Sequence, residues 1–377
     1  WMRAARGGAW PPGRPAKAES RGPSGRIARR MERAEVAARP TGGVLVTGGA
    51  GYIGSVLVPR LLSARRVVVL DLGLFGTGSL ERLGPHPGLE IVRGDVRDEG
   101  LVRALLERQR PEAVVHLAAV SNDPCSEIDP EVTRSINRAG TERFMRLAKE
   151  CGVRRFVNAS SASVYGVKEE DEVTENLALE PLTLYARYKA ETEDVLASLV
   201  DDGFCGVSVR AATVCGWSPR LRLDLTINIL TCHAITDRRI RVFGGSQMRP
   251  NIHVEDVADF YALLLDAEPA LVSGRAFNAS AENASVAGLA EMVRGEVDAG
   301  LPIEVVPTAD NRSYRLTARL AKDVLGFAPQ RPLRQAVRDL KQAFSDGRIP
   351  DPAAAIYRNI EVMKAPAVLS ALRGTAA

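Results

Sequence analysis

Tyr185 and Lys189, in the stretch LYARYK, have the residue types and spacing of a proton-abstracting pair. On a helix, residues four apart lie on one face, one turn from each other. Tyrosine is a poor base at its reference pKa of about 10, but a neighbouring cation favours the phenolate. The pair could therefore take a proton from a substrate hydroxyl during hydride transfer. Tyr188 has no lysine four residues on and is predicted to be a packing residue.

A glycine-rich turn in the stretch VLVTGGAGYIGSVLVPRLL could bind the diphosphate of a dinucleotide cofactor. It follows an apolar strand and opens a helix, which is the context that such a loop requires. Gly48 would allow the tight turn, Gly51 the approach of the backbone to a pyrophosphate, and Gly54 close packing of the helix on the strand. The helix N-terminus offers unpaired N–H groups to the phosphates. The predicted contacts are Gly48, Gly51, Tyr52, Ile53 and Gly54.

An acidic residue ends the next apolar run, VVVLD, and selects between the two nicotinamide cofactors. Asp71 would accept hydrogen bonds from both ribose hydroxyls of an adenosine. Because its carboxylate would repel a 2′-phosphate, the predicted cofactor is NAD. Lys189 is predicted to hold the nicotinamide ribose hydroxyls, so Tyr185 and Lys189 belong to the cofactor site as well.

Short apolar, β-branched runs alternate with helix-length amphipathic segments from Gly43 onwards. Runs that are apolar throughout indicate strands of a parallel sheet covered by helices on both faces. The predicted fold class is therefore α/β, a doubly wound parallel Rossmann sheet with a smaller mixed α/β substrate-binding domain in the C-terminal part. The runs are VLVT (44–47), VVVLD (67–71), LEIVRG (89–94), AVVHLA (113–118), RFVNAS (155–160) and GVSVR (206–210).

The pattern divides the chain into four predicted segments. Residues 1–41 are basic and rich in proline and glycine, and are predicted to be a disordered leader. Residues 42–211 form the NAD-binding domain, with later returns to it near 240–280. Residues 212–350 form the substrate-binding domain, and residues 351–377 are expected to be a loose C-terminal tail.

Composition excludes several classes of function. The 377 residues carry 50 basic and 46 acidic side chains, with much of the basic excess in the first forty positions, so the folded body is near neutral and no nucleic-acid partner is expected. No apolar run reaches the roughly 18 to 20 residues of a membrane span. Five widely spaced cysteines without a CxxC pair indicate a reducing, cytoplasmic location, and four scattered histidines predict no metal site.

Five motifs resemble those of a known family. The glycines are spaced Gly-x-x-Gly-x-x-Gly and are followed, in order, by GDVRD, VVHLAAVS, SSASVYG and YARYK. In this set and order the sequence resembles the extended short-chain dehydrogenase/reductases, specifically the NAD-dependent nucleotide-sugar epimerase/dehydratase branch. The resemblance runs from about Gly43 to about Gly347, which is nearly the whole predicted folded body.

The resemblance implies further cofactor contacts. Asp95 would accept a hydrogen bond from the adenine amino group, with help from the backbone of Val96. Ala118 and Ala119 would run beneath the cofactor, where small side chains are needed. Asn137 resembles a helix asparagine that supports the active-site backbone.

The resemblance also implies the third catalytic residue. Ser161, in NASSASVYG, corresponds to the family's catalytic Ser or Thr, which hydrogen-bonds the reacting oxygen and relays its proton to the tyrosine. Ser160 is the alternative assignment. The implied catalytic set is Ser161, Tyr185 and Lys189, with Tyr165 as a wall residue near the sugar.

Ala162 and Ser163, which follow Ser161, bear on the reaction. Sugar 4,6-dehydratases of the family carry an Asp-Glu pair there, and decarboxylating relatives carry a Glu. The form Ser-Ala-Ser-Val-Tyr-Gly resembles that of UDP-galactose 4-epimerases, which implies C4 oxidation to a 4-keto sugar followed by hydride return. The alternatives are an NDP-4-keto-sugar reductase or dehydratase, and a non-catalytic NAD-sensing protein.

Substrate contacts are implied in the second half of the chain. Arg249 resembles an arginine that clamps the substrate diphosphate, and Asn228 a helix asparagine that meets the same group. Ser121 completes the implied substrate site, and Arg220 or Arg222 could add a phosphate or sugar contact. The implied partners are a nucleotide-diphosphate sugar and, through the helices that carry Asn137 and Tyr185, a second copy of the chain in a homodimer.

Overall fold

The computed structural model describes residues 43–308 and 313–374. The described residues belong to one compact unit. The leader predicted for residues 1–41 lies outside them.

Seven parallel strands form the main sheet of the described residues, in the order β3-β2-β1-β4-β5-β6-β10. The order reverses between β1 and β4, and this is the point at which doubly wound sheets bind ligands, beyond the carboxyl ends of the strands. The six runs predicted from sequence become the first six strands. The seven are β1 (Val44–Thr47), β2 (Val67–Asp71), β3 (Leu89–Arg93), β4 (Ala113–His116), β5 (Arg155–Ala159), β6 (Cys205–Ala211) and β10 (Arg275–Ala279).

Helices cover both faces of this sheet, which explains why its strands are apolar throughout. Along β1, Val44 and Val46 join the core on one face, where the helices 54–62 and 254–266 pack. Leu45 joins the core on the other face, with the helices 99–109, 141–150 and 184–199. The predicted doubly wound Rossmann sheet is therefore confirmed.

The described α-helices are numbered in chain order. They are α1 (Gly54–Leu62), α2 (Gly78–Glu81), α3 (Glu99–Gln109), α4 (Asp123–Ser126), α5 (Pro130–Thr133), α6 (Thr141–Glu150), α7 (Leu184–Leu199), α8 (Thr226–Thr236), α9 (Val254–Asp266), α10 (Pro269–Val272), α11 (Val286–Val297), α12 (Arg319–Leu325), α13 (Leu333–Ser345), α14 (Asn359–Met363) and α15 (Pro366–Gly374). A π-helical turn spans Arg134–Gly140, and 3₁₀ turns span Ala162–Tyr165 and Ala355–Tyr357.

Two small sheets lie in the second half of the chain. Strand β9 (Met248–His253) pairs with β7 (Thr213–Cys215) and β11 (Glu282–Ser285), and β8 (Ile240–Phe243) pairs with β12 (Ile303–Val306). Of the expected returns near 240–280, β10 joins the main sheet whereas β8 does not. The division into two domains at residue 211 stays a prediction.

The C-terminal segment differs from the loose tail expected for residues 351–377. Residues 355–374 form a 3₁₀ turn followed by α14 and α15, and they bury Met363 and Leu372, which are 3% and 0% exposed. These two side chains pack with Val120 and Ile136 in a separate apolar cluster. The expectation of a loose tail was wrong for residues 355–374, because their buried apolar side chains have partners far away in the sequence, which no local pattern shows.

Candidate functional site

A cavity of about 590 Å³ opens beyond the carboxyl ends of the main-sheet strands. It lies at the point where the strand order reverses, as the doubly wound fold predicts. The predicted cofactor residues all line it: Gly48, Gly51, Tyr52, Ile53, Gly54, Asp71, Asp95, Val96, Ala118, Ala119, Tyr185 and Lys189.

The glycine-rich turn brings two segments of backbone together at this cavity. Gly48 has a φ of +69°, and a Cβ added there would lie 2.7 Å from the backbone nitrogen of Ala118. Only glycine fits such a position, because the conformation is left-handed and the space is filled by backbone. Helix α1 then begins at Gly54, so its N-terminus faces the cavity with the positive end of the helix dipole.

Asp71 lies at the end of β2, where its carboxylate is held by backbone. Its Oδ2 accepts from the nitrogen of Ala50 (3.0 Å) and its Oδ1 from that of Gly73 (2.8 Å). Burial raises the pKa of this carboxyl, while the two backbone hydrogen bonds oppose the shift. The carboxylate is therefore oriented toward the cavity, where ribose hydroxyls are its predicted partners.

Asp95 follows β3 and is held by an ion pair with Arg97. Its Oδ2 accepts from Arg97 Nη2 at 2.7 Å, in an ion pair whose two side chains are only 2% and 6% exposed. Val96, between them, lines the cavity with Asp95. The predicted contact of this carboxylate with adenine stays a prediction.

The segment after β4 forms the floor of the cavity. Ala118, Ala119, Val120 and Ser121 line it. Asn137, on the π-helical turn, donates to the oxygen of Val120 and accepts from its nitrogen, both at 2.8 Å. The structure thus shows that Asn137 supports the backbone on this side of the cavity, and the catalytic role of the site stays a prediction.

Tyr185 and Lys189 lie on the first turns of α7, beside the cavity. The helix begins after Thr183, whose hydroxyl accepts from the nitrogen of Ala186 at 3.2 Å and caps the N-terminus. Lys189 Nζ donates to the oxygen of Ala159 at 2.6 Å and lies 5.8 Å from the centre of the Tyr185 ring. The cation and the phenol are therefore neighbours, as the four-residue spacing predicts.

Ser161 joins this pair from the neighbouring strand. It follows the end of β5 and caps the 3₁₀ turn, where its Oγ accepts from the hydroxyl of Ser163 at 3.0 Å. Its hydroxyl also interacts with Tyr185 and opposes the rise in the pKa of the phenol that burial causes. The structure thus brings the three predicted catalytic side chains together.

Burial is the dominant influence on the protonation of the pair. It raises the pKa of Tyr185 to about 12, and the nearby charge of Asp123 adds to the rise. It lowers the pKa of Lys189 to about 8, against the opposing effect of Glu193. At neutral pH the tyrosine is a phenol and the lysine a cation, so proton abstraction requires further positive charge beside the ring.

Ser160, the alternative to Ser161, has a different environment. Its hydroxyl donates to the carboxylate of Glu193, and that carboxylate pairs with Arg210 at 2.7 Å. Both charged side chains are nearly inaccessible, at 7% and 8% exposure. Ser160 therefore donates a hydrogen bond to a buried ion pair, whereas Ser161 lies beside the phenol of Tyr185.

A pair of alanine substitutions separates these two roles. Ser161→Ala is expected to lower kcat about 100-fold without changing the midpoint of thermal unfolding by more than a degree or two, because it removes the predicted proton relay. Ser160→Ala is expected to keep most of kcat but to cost about 1–2 kcal/mol of stability, because a buried carboxylate loses a donor. Steady-state kinetics and thermal unfolding of both variants check this. A larger loss of kcat in Ser160→Ala would reverse the assignment.

Two substrate predictions need correction. Tyr165 is not a wall of the cavity: it is 0% exposed, its hydroxyl donates to Asn278 Oδ1 at 2.7 Å and it accepts from Arg210 at 2.8 Å. Asn228 is also 0% exposed, and its amide bonds the nitrogen of Gly216 and the oxygen of Arg222. Both polar tips are used inside the protein, so neither is placed to contact a sugar or a diphosphate directly.

Arg249 and Ser121, the other two predicted substrate residues, line the cavity, and their contacts with a substrate stay predictions. Arg249 lies on β9 beside Ala284 of β11, so strand pairing fixes its backbone. Phe243 lies at the same cavity with 54% of its surface exposed. The aromatic residue gave no signal in the sequence, since a single phenylalanine at a strand end is indistinguishable from a core residue.

The loop after β7 and the C-terminal segment supply further residues that line the cavity, and the sequence indicated only some of them. Arg220 and Arg222, which the sequence suggested as phosphate or sugar contacts, both line the cavity. Arg222 pairs with Asp224 at 2.9 Å. Asn359 lines it as well, and nothing in the sequence singled it out. Its partners are 135 to 238 positions away along the chain.

Known proteins resemble the chain in sequence and in fold. The sequence profile of the NAD dependent epimerase/dehydratase family matches residues 44–280. A UDP-glucose 4-epimerase of Mycolicibacterium smegmatis is 32% identical over 311 residues, 80% of this chain and 97% of that protein. A dTDP-glucose 4,6-dehydratase of Streptomyces antibioticus is 29% identical over 323 residues, 81% of this chain and 93% of that protein. The solved structure of MoeE5 in complex with UDP-glucuronic acid and NAD has 29% identity and a TM-score of 0.69, covering 81% of this chain and 100% of that one.

Proposed function

The chain belongs to the NAD dependent epimerase/dehydratase family, and we propose that it is an epimerase that inverts C4 of a nucleotide-diphosphate sugar. The reaction passes through a transient 4-keto sugar. The observation that carries this proposal is the environment of Tyr185, which has the Ser161 hydroxyl and the Lys189 cation beside it, whereas Ala162 and Ser163 offer no acid-base pair for elimination.

Tyr185 is the proposed acid and base at the sugar. It takes the proton of the C4 hydroxyl, through Ser161 or directly, and returns it after the ring has turned over. NAD, which the glycine-rich turn, Asp71 and Lys189 would hold, would supply a reversible hydride acceptor for C4. The cation of Lys189, together with the positive nicotinamide, lowers the cost of the phenolate that burial otherwise disfavours.

Ala162 and Ser163 support epimerisation over dehydration. Loss of water across C5 and C6 requires an acid for the leaving hydroxyl and a base for the C5 proton. Ala162 has no such group and is buried, and the Ser163 hydroxyl donates to Ser161. Asp123 is the carboxylate whose charge reaches Tyr185, but its Oδ1 already accepts from Thr183 at 2.6 Å.

The far end of the cavity supports a nucleotide-diphosphate substrate. Arg249 offers a guanidinium that can bind phosphate oxygens in a bidentate manner. The exposed ring of Phe243 offers a face on which a base can stack. We propose these two residues as diphosphate and base contacts, and Ser121 as a contact nearer the sugar.

We also propose a cytoplasmic location and a homodimer. All five cysteines are free thiols, which supports a reducing, cytoplasmic compartment. Helix α7 packs beside the π-helical turn that carries Asn137, so the two helices proposed to form a homodimer surface are neighbours. No described helix has the length and hydropathy needed to cross a bilayer.

The reaction can be tested without added cofactor. The purified protein is incubated with a panel of UDP-, dTDP-, GDP- and CDP-sugars, after its bound nucleotide has been released from a separate sample and identified. Interconversion of C4 epimers with no net change in NADH is the expected result. Accumulation of a 4-keto-6-deoxy sugar would replace the proposal by a dehydratase. In a parallel assay with added NADH and a 4-keto sugar, stoichiometric consumption of NADH would replace it by a reductase.

A further inference from the structure

The C-terminal strap, defined as residues 355–374, lies across the cofactor end of the cavity. Asn359, Met363 and Leu372 of the strap line the cavity together with Asp71 and Ala118. The family profile ends at residue 280, so the strap lies outside the part of the chain that it matches. A ligand held by Asp71 and the glycine-rich turn would lie beneath the strap.

Asn359 ties the two sides of the cavity to each other. Its Nδ2 donates to the hydroxyl of Ser121 at 2.8 Å, on the segment that follows β4. Its backbone nitrogen donates to Asp224 Oδ2 at 3.0 Å, and its Oδ1 accepts from Arg220 Nη2 at 2.5 Å, both on the loop after β7. Asn359 itself is 4% exposed, so these hydrogen bonds are shielded from water and each contributes.

Apolar contacts hold the rest of the strap in place. Met363 and Leu372 pack against Val120 and Ile136, and the partly buried Leu72, which follows Asp71, joins the same cluster. The cluster therefore joins the strap to the strand ends on either side of the predicted adenosine site. It is small, so separating the strap from it costs far less than unfolding the main core.

Arg220 supplies a positive charge at this end of the cavity. Its backbone nitrogen donates to Ser55 Oγ at 3.3 Å, beside the start of α1, and its guanidinium lies 3.8 Å from the centre of the Phe75 ring. Arg220 is 6% exposed and its Nε has no partner among the described residues. The charges of Asp224 and Asp71 reach it without a direct ion pair. Burial lowers the pKa of this guanidinium to about 9. A buried cation next to a phosphate-binding turn is best compensated by an anion.

We infer that the strap closes over bound NAD and retains it, with Asn359 as the positioning residue that orients Arg220 toward the cofactor's pyrophosphate. Strap closure and cofactor binding then stabilise each other, because the pyrophosphate compensates the positive charge of Arg220, which Asn359 holds in position. The inference rests on the binding of NAD by this family and not on the identity of the sugar. It predicts that NAD leaves only when the strap has opened.

Asn359→Ala tests whether the strap retains NAD, through the dissociation rate of NAD. The protein is saturated with labelled NAD and mixed with an excess of unlabelled NAD, and the retained label is followed with time. The variant is expected to release NAD about tenfold faster than the unmodified chain, because it loses two side-chain hydrogen bonds. Glu361→Ala, an exposed substitution on the same helix, is the matched control and should stay within twofold. Equal rates for Asn359→Ala and the control would overturn the inference.

Trypsin supplies a second test that needs no substitution. The strap carries cleavage sites at Arg358, Lys364 and Arg373, and Arg348 lies outside it in the turn after α13. Saturating NAD is expected to slow cleavage of the strap at least fivefold relative to cleavage after Arg348, as measured by mass spectrometry. Cleavage at the same relative rate with and without NAD would show that the strap does not respond to the cofactor. Neither test requires turnover, so both remain informative if the proposed epimerase reaction is wrong.

Discussion

Tyr185→Phe is expected to lower kcat for the interconversion of C4 epimers by about three orders of magnitude, while NAD stays bound. The substitution removes one oxygen, the group that takes and returns the proton of the sugar hydroxyl. It leaves the ring, and with it the packing beside Lys189. The loss should appear in kcat and in kcat/KM to a similar degree, because the proton is transferred only in the reaction's transition states.

Tyr188→Phe is the matched control. Tyr188 lies on the same helix and is partly buried, but it is not among the residues that line the cavity. The same chemical change three positions away should leave kcat within about twofold. Steady-state assays of both variants, with bound NAD measured after denaturation, make the comparison. If Tyr185→Phe kept more than a tenth of the activity, the base would have to be sought elsewhere, and Asp123 would be the first candidate because its charge reaches the phenol.

The sheet and the cofactor end of the site could be predicted because their signals are local. A strand such as β1 is apolar throughout, Gly48 to Gly54 directly follow it, and Tyr185 and Lys189 are one helical turn apart. In each case the residues that act together are close in sequence or lie at the ends of neighbouring parallel strands. The parallel order of the sheet then brings these ends to one edge.

The substrate end and the strap could not be predicted in the same way. Tyr165 and Asn228 occupy motif positions, but whether such a side chain faces a cavity or the core depends on distant partners such as Asn278 and Tyr52. No local sequence pattern marks Asn359, because its hydrogen-bond partners Ser121 and Arg220 lie far away in the chain. Tertiary packing decides these orientations, and the contacts that make it up cannot be inferred from a single sequence.

Gly54→Ala is expected to abolish retention of NAD and to lower the free energy of unfolding by about 2–3 kcal/mol. A Cβ at this position would lie 2.6 Å from the oxygens of Gly48 and Gly49. Both contacts are with backbone, so no flexible side chain can move aside and the glycine-rich turn itself must shift. That shift moves the start of α1 away from the position in which its N–H groups face the pyrophosphate.

Gly295→Ala shows whether the effect of Gly54→Ala comes from this contact or from the replacement of a helical glycine. Gly295 lies within α11, and a Cβ there would have no atom within 4 Å. The substitution should raise the free energy of unfolding by up to about 1 kcal/mol, because alanine favours the helix. Denaturant unfolding and the NAD content after purification are measured for both variants. Because the two substitutions are chemically identical, changes of opposite sign in the free energy of unfolding would show that the close approach at Gly54 causes the effect. A Gly54→Ala protein with full NAD content would contradict the prediction, because the turn would then have relaxed around the added methyl group.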